Sequence, residues 1–346
     1  MSKLILAVAL VFALAIPASA VEFTAPQVPE KGAELMPEDT GSFAAGLMEL
    51  LRDAVLGLRP DLKEASKVSL GVIAAVMMVS LLQSFSGSVK TVANLAGATA
   101  IAAGLLLSAN SLIRLGSQTV TEISEYGKLL LPVMTAAMAA QGGAASSTAL
   151  YAGTAVFDSV LSSLISRMLG PMVYLFLALS AANGAIGENI LGKLRDLVKN
   201  VVSWSLKTIL TVFTTYMTVT GVVSGTTDAA ALKATKVTIS SVVPVVGGIL
   251  SDASEAVLVS AGLMKNAAGI YGILAVLAVF LSPFLKIGVH YLILKLTAAV
   301  CGIFGEKGLT ELIGDFSTAM GLLLAMTGSE CLLLLISTVC FLKGVG

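Results

Sequence analysis

From Val68 onward the chain consists almost entirely of long apolar runs with single charges set inside them. A hydrocarbon core is crossed by about 20 apolar residues in a helix. Residues 68–86, 91–113, 203–225 and 319–343 meet that length. The whole chain is 56% hydrophobic and only 12% charged, where soluble domains carry roughly 25% charged residues. A surface so poor in charge must face lipid. The expected fold is an all-α polytopic membrane protein with about seven to ten transmembrane or re-entrant helices.

Two longer apolar tracts, 129–187 and 237–304, hold the only prolines beyond Pro60. These are Pro132 and Pro171 in the first tract, and Pro244 and Pro283 in the second, with equal spacing within each pair. Proline removes a helix donor and its ring clashes with the preceding turn, so each is expected to mark a helix break. Breaks repeated at one spacing predict an internal duplication built on discontinuous helices. The same offset lays 91–113 on 203–225 and the polar linker 114–128 on 226–240. After a short insertion, Gly187-Glu188 resembles Gly305-Glu306, and the amphipathic stretch 188–202 matches 306–320. The units are approximately 91–202 and 203–320, with a final span at 319–343. The first amphipathic copy is basic (Lys193, Arg195, Lys199), whereas the second is acidic (Glu306, Glu311, Asp315). Basic loops favour the cytoplasm, so this asymmetry points to an inverted repeat. Ordinary kinked spans joined by tight turns are the plainer alternative.

The first twenty residues have the form of a secretory signal: Lys3, an apolar core Leu4–Ile16, then Pro17-Ala18-Ser19-Ala20 as break and cleavage site. Cleavage would leave 21–67 as an extracytoplasmic region; an uncleaved first span is the alternative. That region is proline-containing and more acidic than basic. Within it, Phe43, Leu47, Leu50, Leu51, Ala54 and Leu58 share one face of a helix. Ser42 would cap that helix and Pro60 would stop it.

Lysine plus arginine equals aspartate plus glutamate, 21 each, so no basic field recruits nucleic acid. The three cysteines, Cys301, Cys331 and Cys340, lack zinc or redox spacing and read as buried structural thiols. One histidine leaves no His-based metal site or triad. Phosphate-binding loops, dinucleotide fingerprints and nucleophile elbows are absent from the sequence. The expectation is a non-enzyme without cofactor.

Charges inside apolar runs are costly, and each is a candidate for a polar pathway or gate. Asp158 lies within Val156–Ile165; Lys286, His290 and Lys295 lie within or beside Leu281–Val300. Lys286 and His290 share a face, and Lys295 falls opposite. Snorkelling or structural pairing is the alternative for each. Gly221 and Gly225 form a GxxxG suited to close helix approach.

The segment from Val243 to Gly272 is the most distinctive. It carries Pro244, Gly247, Gly248, Ser251, Asp252, Lys265, Asn266 and Gly269, followed by Pro283-Phe-Leu-Lys286 and Tyr291-x-x-x-Lys295. This series resembles the stage III sporulation protein AE family of endospore-forming bacteria, from about residue 40 onward. The resemblance implies a component of a channel or secretion-like complex in the mother-cell membrane around the forespore. It implies partners among other membrane and extracytoplasmic proteins and a cytoplasmic ATPase. It transfers no catalytic residue. A secondary transporter with broken-helix repeats, and a purely structural membrane anchor, are the competing readings.

Overall fold

The computed structural model describes residues 26–37, 42–83, 88–140, 144–186, 189–219, 267–304 and 307–343. The expected signal segment 1–20, Pro244, Gly247, Gly248, Ser251, Asp252, Lys265, Asn266 and the GxxxG at Gly221 lie outside the described residues. Every regular element among the described residues is helical. In order they are a one-turn α1 (Glu30–Ala33), α2 (Phe43–Leu56), α3 (Arg59–Leu82), α4 (Ser88–Ala140), α5 (Ala144–Leu164), α6 (Gly170–Ile186), α7 (Asn189–Val219), α8 (Ala267–Cys301) and α9 (Lys307–Lys343). Five helical stretches among them are long and apolar enough to cross a membrane: Phe43–Leu82, Val92–Ala139, Ser146–Ile186, Gly269–Cys301 and Lys307–Leu342. The chain is an all-α, multi-pass membrane protein.

α9 is the axis of the bundle. Its sequence is apolar on all sides, and a helix of that kind must be surrounded. In its apolar window 94% of residues are buried, against 22% for Phe43–Leu82 at the periphery. α9 packs on α4, α5, α6, α7 and α8, and Phe316, Leu322, Leu333, Leu335 and Phe341 are closed off completely or nearly so. On α3 the outward Leu70, Met77, Met78 and Leu81 remain exposed, as residues bathed in lipid do.

Several local expectations are realised and others corrected. Ser42 precedes α2 in extended conformation. The buried face of α2 is Phe43, Gly46, Leu50 and Ala54, laid against α8, while Leu51 is exposed. Pro60 sits in the first turn of α3, where its missing N–H is no loss. The chain therefore re-enters a helix there, and α3 runs across the expected boundary at residue 67. The linker expected at 114–128 is the middle of α4. Its apolar residues Val120, Ile123 and Tyr126 keep the helical period and are buried. Thr119 and Thr121 donate their hydroxyls to the carbonyls of Leu115 and Ser117, so their polarity is satisfied within the helix.

The breaks expected at Pro132 and Pro283 are also corrected, since α4 and α8 run through them. Proline removes one hydrogen bond of the ladder, and packing of a long helix on both sides outweighs that loss. Pro171 is different. A π-turn, Ile165–Leu169, precedes it, and Gly170 N–H reaches back to Ile165 O. The wide turn absorbs the irregularity, and α5 and α6 form one continuous rod. Pro244, the fourth, lies outside the described residues.

Gly153 of α5 lies against Tyr216 of α7, and a Cβ there would overlap the ring. Tyr216 donates its hydroxyl to Ala149 O at 2.9 Å, which holds the ring in place. Gly153→Ala is therefore expected to destabilise the bundle by about 1–3 kcal/mol, read as a lower unfolding temperature of the purified chain in detergent. Adding Tyr216→Leu should recover part of the loss. Identical melting of G153A and the unaltered chain would refute this packing.

Candidate functional site

The hairpin of α4 and α5 sets Asp158 against Ser124. Asp158 is 2% exposed, and Ser124 Oγ donates to its Oδ2 at 2.8 Å. Gly127, one turn along α4, lies beside the carboxyl: a Cβ there would stand at ordinary contact distance, 3.6 Å, from Oδ1 and closer, 3.2 Å, to Leu334 Cδ1. From the other side α9 presents Glu330, whose exposure is zero and which faces Asp158. Among the described residues neither Glu330 oxygen, nor Asp158 Oδ1, has a hydrogen-bond donor. Lys128, exposed on α4, is the positive group acting on both carboxyls. One turn from Asp158, Thr154 donates to Ser337 Oγ of α9 at 2.9 Å, both fully buried. The interface of α5 with α9 is thus a polar seam inside an apolar bundle.

Ionised carboxylates only accept hydrogen bonds. Two that face each other in a low-dielectric interior cannot both stay ionised without a counter-charge. Such a pair can hold a proton or a small cation. No group of three or more His, Cys, Asp or Glu residues suited to a metal occurs among the described residues.

The structure does not bring Asp158 to the candidates on α8. Lys286 Nζ lies 3.7 Å from Asp61 Oδ2 of α3, at the partly exposed edge of the bundle. His290 is buried, and its Nδ1 stands 2.9 Å from Lys286 O. A carbonyl can only accept, so Nδ1 carries the hydrogen. The ring borders a small cavity of about 10 Å³ lined by Ala65, Leu105, Phe316 and Met320, space for about one water. Lys295 is exposed, with Nζ 3.3 Å from the Tyr291 hydroxyl and 5.5 Å from the centre of its ring. These three residues belong to the contact of α8 with its neighbours, apart from the carboxyl pair.

Glu330 and the Arg195–Asp315 pair escaped the sequence reading. Glu330 had a signal, being the only charge between Phe316 and Leu342. Arg195 Nη1 lies 2.7 Å from Asp315 Oδ2, with side chains 14% and 15% exposed, and ties α7 to α9. Arg195 also contacts Asp196 at 3.0 Å. The two ends of this bridge fall in the two stretches that the sequence aligned as copies. Of the signature residues only Gly269 is described. A Cβ there would overlap Leu342, so this glycine permits the start of α8 to meet the end of α9. Cys301, Cys331 and Cys340 are buried.

Helices that cross a membrane several times around a closed acidic pair define a multi-pass integral membrane protein with a polar interior. The profile described as "Stage III sporulation protein AE (spore_III_AE)" matches residues 41–344, and the chain belongs to this sporulation family. Stage III sporulation protein AE of Bacillus subtilis (strain 168) is 25% identical over 199 residues, which cover 57% of this chain and 50% of that protein. The matched stretch thus spans half the length of that relative. No solved structure matches the chain.

Removing Arg195 would leave Asp315 mostly buried without its counter-charge. Arg195→Ala should therefore cost about 3 kcal/mol, and adding Asp315→Asn should recover much of it. Unfolding of the two variants in detergent measures this. Equal losses in the single and double variants would show that the bridge does not couple α7 to α9.

Proposed function

We propose that the chain is the integral-membrane component of a channel or secretion-like complex in the mother-cell membrane around the forespore, required for endospore development. Membership of the sporulation family supports the process. The observation that carries the membrane role is the buried polar seam of Asp158, Glu330, Thr154 and Ser337 inside a multi-pass bundle. Polar groups within a membrane are expensive and are kept where a pathway or partner uses them. On this reading the chain is not an enzyme. A cytoplasmic ATPase and extracytoplasmic ring proteins are its partners, and the segment containing Ser251, Asp252, Lys265 and Asn266 is the docking or gating element. The sequence match of Gly187-Glu188 with Gly305-Glu306, and of the amphipathic stretches that follow, supports an origin by duplication.

A secondary transporter is the second reading, favoured by the same buried acidic pair, since such a carrier needs a defined site within the membrane. Complementation separates the two. In an endospore former lacking its own copy, the chain with residues 251–266 replaced by a Gly-Ser linker should lose co-isolation with the ATPase and ring proteins. Heat-resistant spore counts should fall by about 100-fold or more. Asp158→Asn should keep assembly intact. Wild-type assembly and spore counts after the linker replacement would overturn the channel reading. Normal assembly with loss of spores in D158N alone would favour the transporter.

A further inference from the structure

We propose that Asp158 and Glu330 bind one exchangeable proton between them, making the centre of the bundle a proton-holding site. The inference does not depend on the channel reading. It starts from Glu330, a fully buried side chain aimed at Asp158 with both oxygens unpartnered. Asp158 completes the pair with a second unpartnered oxygen, its Oδ1, while Oδ2 is already taken by Ser124. Every oxygen left over can only accept while both groups are ionised. One proton converts one carboxyl into a donor and satisfies an orphan on each side.

The surroundings favour a proton over a held counter-ion. Among the described residues the charged group acting on the pair is Lys128 from α4, and Cys331, next to Glu330 on α9 itself, is acted on by Glu330. Lys128 is exposed and forms no ion pair with either carboxyl. No charged group of α6, α7 or α8 acts on the pair. Two carboxyls and one serine hydroxyl offer five oxygens at most, so a metal cation, which takes about six, would have to keep water in a site that apolar residues close off. A proton needs two.

Buried hydroxyls flank the pair on one side. Ser147, Thr154 and Asp158 fall on one face of α5 at helical spacing, and Ser147 and Thr154 are buried. Thr154 donates to Ser337 of α9, and Ser337 in turn donates to Leu333 O. The row makes this side of the pair polar.

The test uses the full chain in lipid nanodiscs. Infrared spectra of the unaltered chain should show a protonated-carboxyl C=O band that shifts in deuterium oxide. A hydrophobic carbodiimide, which adds the carboxyl O–H across its N=C=N bond and rearranges to an N-acylurea, should label Asp158 or Glu330. Labelling should fall by about tenfold or more between about pH 5 and about pH 9, because only the protonated form reacts. The double substitution D158N/E330Q keeps donors in place of the proton and should abolish band and label while the chain still melts cooperatively. Absence of band and label over that whole pH range, in an unaltered chain with normal melting, overturns the proposal. So does a band that deuterium oxide leaves unmoved. Suppression of labelling by sodium, but not by choline, at constant pH would assign the site to a metal cation and overturn it as well. Should the double variant fail to fold, the spectrum and label of the unaltered chain decide alone.

Discussion

A carboxyl group with no partner in a low-dielectric interior costs more than any single apolar contact returns, and α9 carries one at its centre. The helix cannot turn Glu330 toward lipid, because its other faces are equally apolar and every one is covered. The remaining helices therefore bring polarity to it. α5 supplies Asp158 and Thr154, and α4 supplies Ser124. Burial of α9 and the polar seam are two aspects of one arrangement. The apolar surround supplies the stability, and the seam fixes which faces of α4, α5 and α9 may meet.

Fold class was legible from the sequence because apolar length and lack of charge dictate helices in lipid. Element boundaries were less so. Prolines at 132 and 283 were read as breaks, yet packing along α4 and α8 carries both helices through. Residues 114–128 looked like a linker by polarity alone, although their apolar members keep the helical period and are buried. At the site, Asp158 stood out as a charge among apolar neighbours. Glu330 satisfied the same criterion and was passed over within a span that otherwise looked complete. Their pairing could not be read from either residue, since it depends on how α5 docks on α9. The lysines of α8 had equal claims by composition, and the structure gives them different surroundings: Lys286 meets Asp61, and Lys295 lies over Tyr291.

The π-turn before Pro171 shows a similar economy. It lies between α5 and α6, the rod that carries Asp158, and it opens where a proline would otherwise strain the ladder. π-turns are frequent near functional positions in membrane helices, and this one separates the half of the rod that meets the carboxyl pair from the half that meets the start of α9. Gly184 in the second half approaches Leu312 and Gly308, close to the Arg195–Asp315 bridge. One rod thus touches both polar contacts of the central helix.

The contacts of Gly269 fix more than a local fit. Because it rests on Leu342, the start of α8 and the finish of α9 share one end of the bundle. Pro26 and Gly32 reach that end through Tyr271 and Val279, and Tyr216 brings the finish of α7 there through Ala149. Residue 219, the last described before 220–266, and residue 267, the first after it, lie on the same side of the bundle, beside residues 26–37. Any protein seated there would cover the starts of α5 and α8 and the finishes of α7 and α9 together.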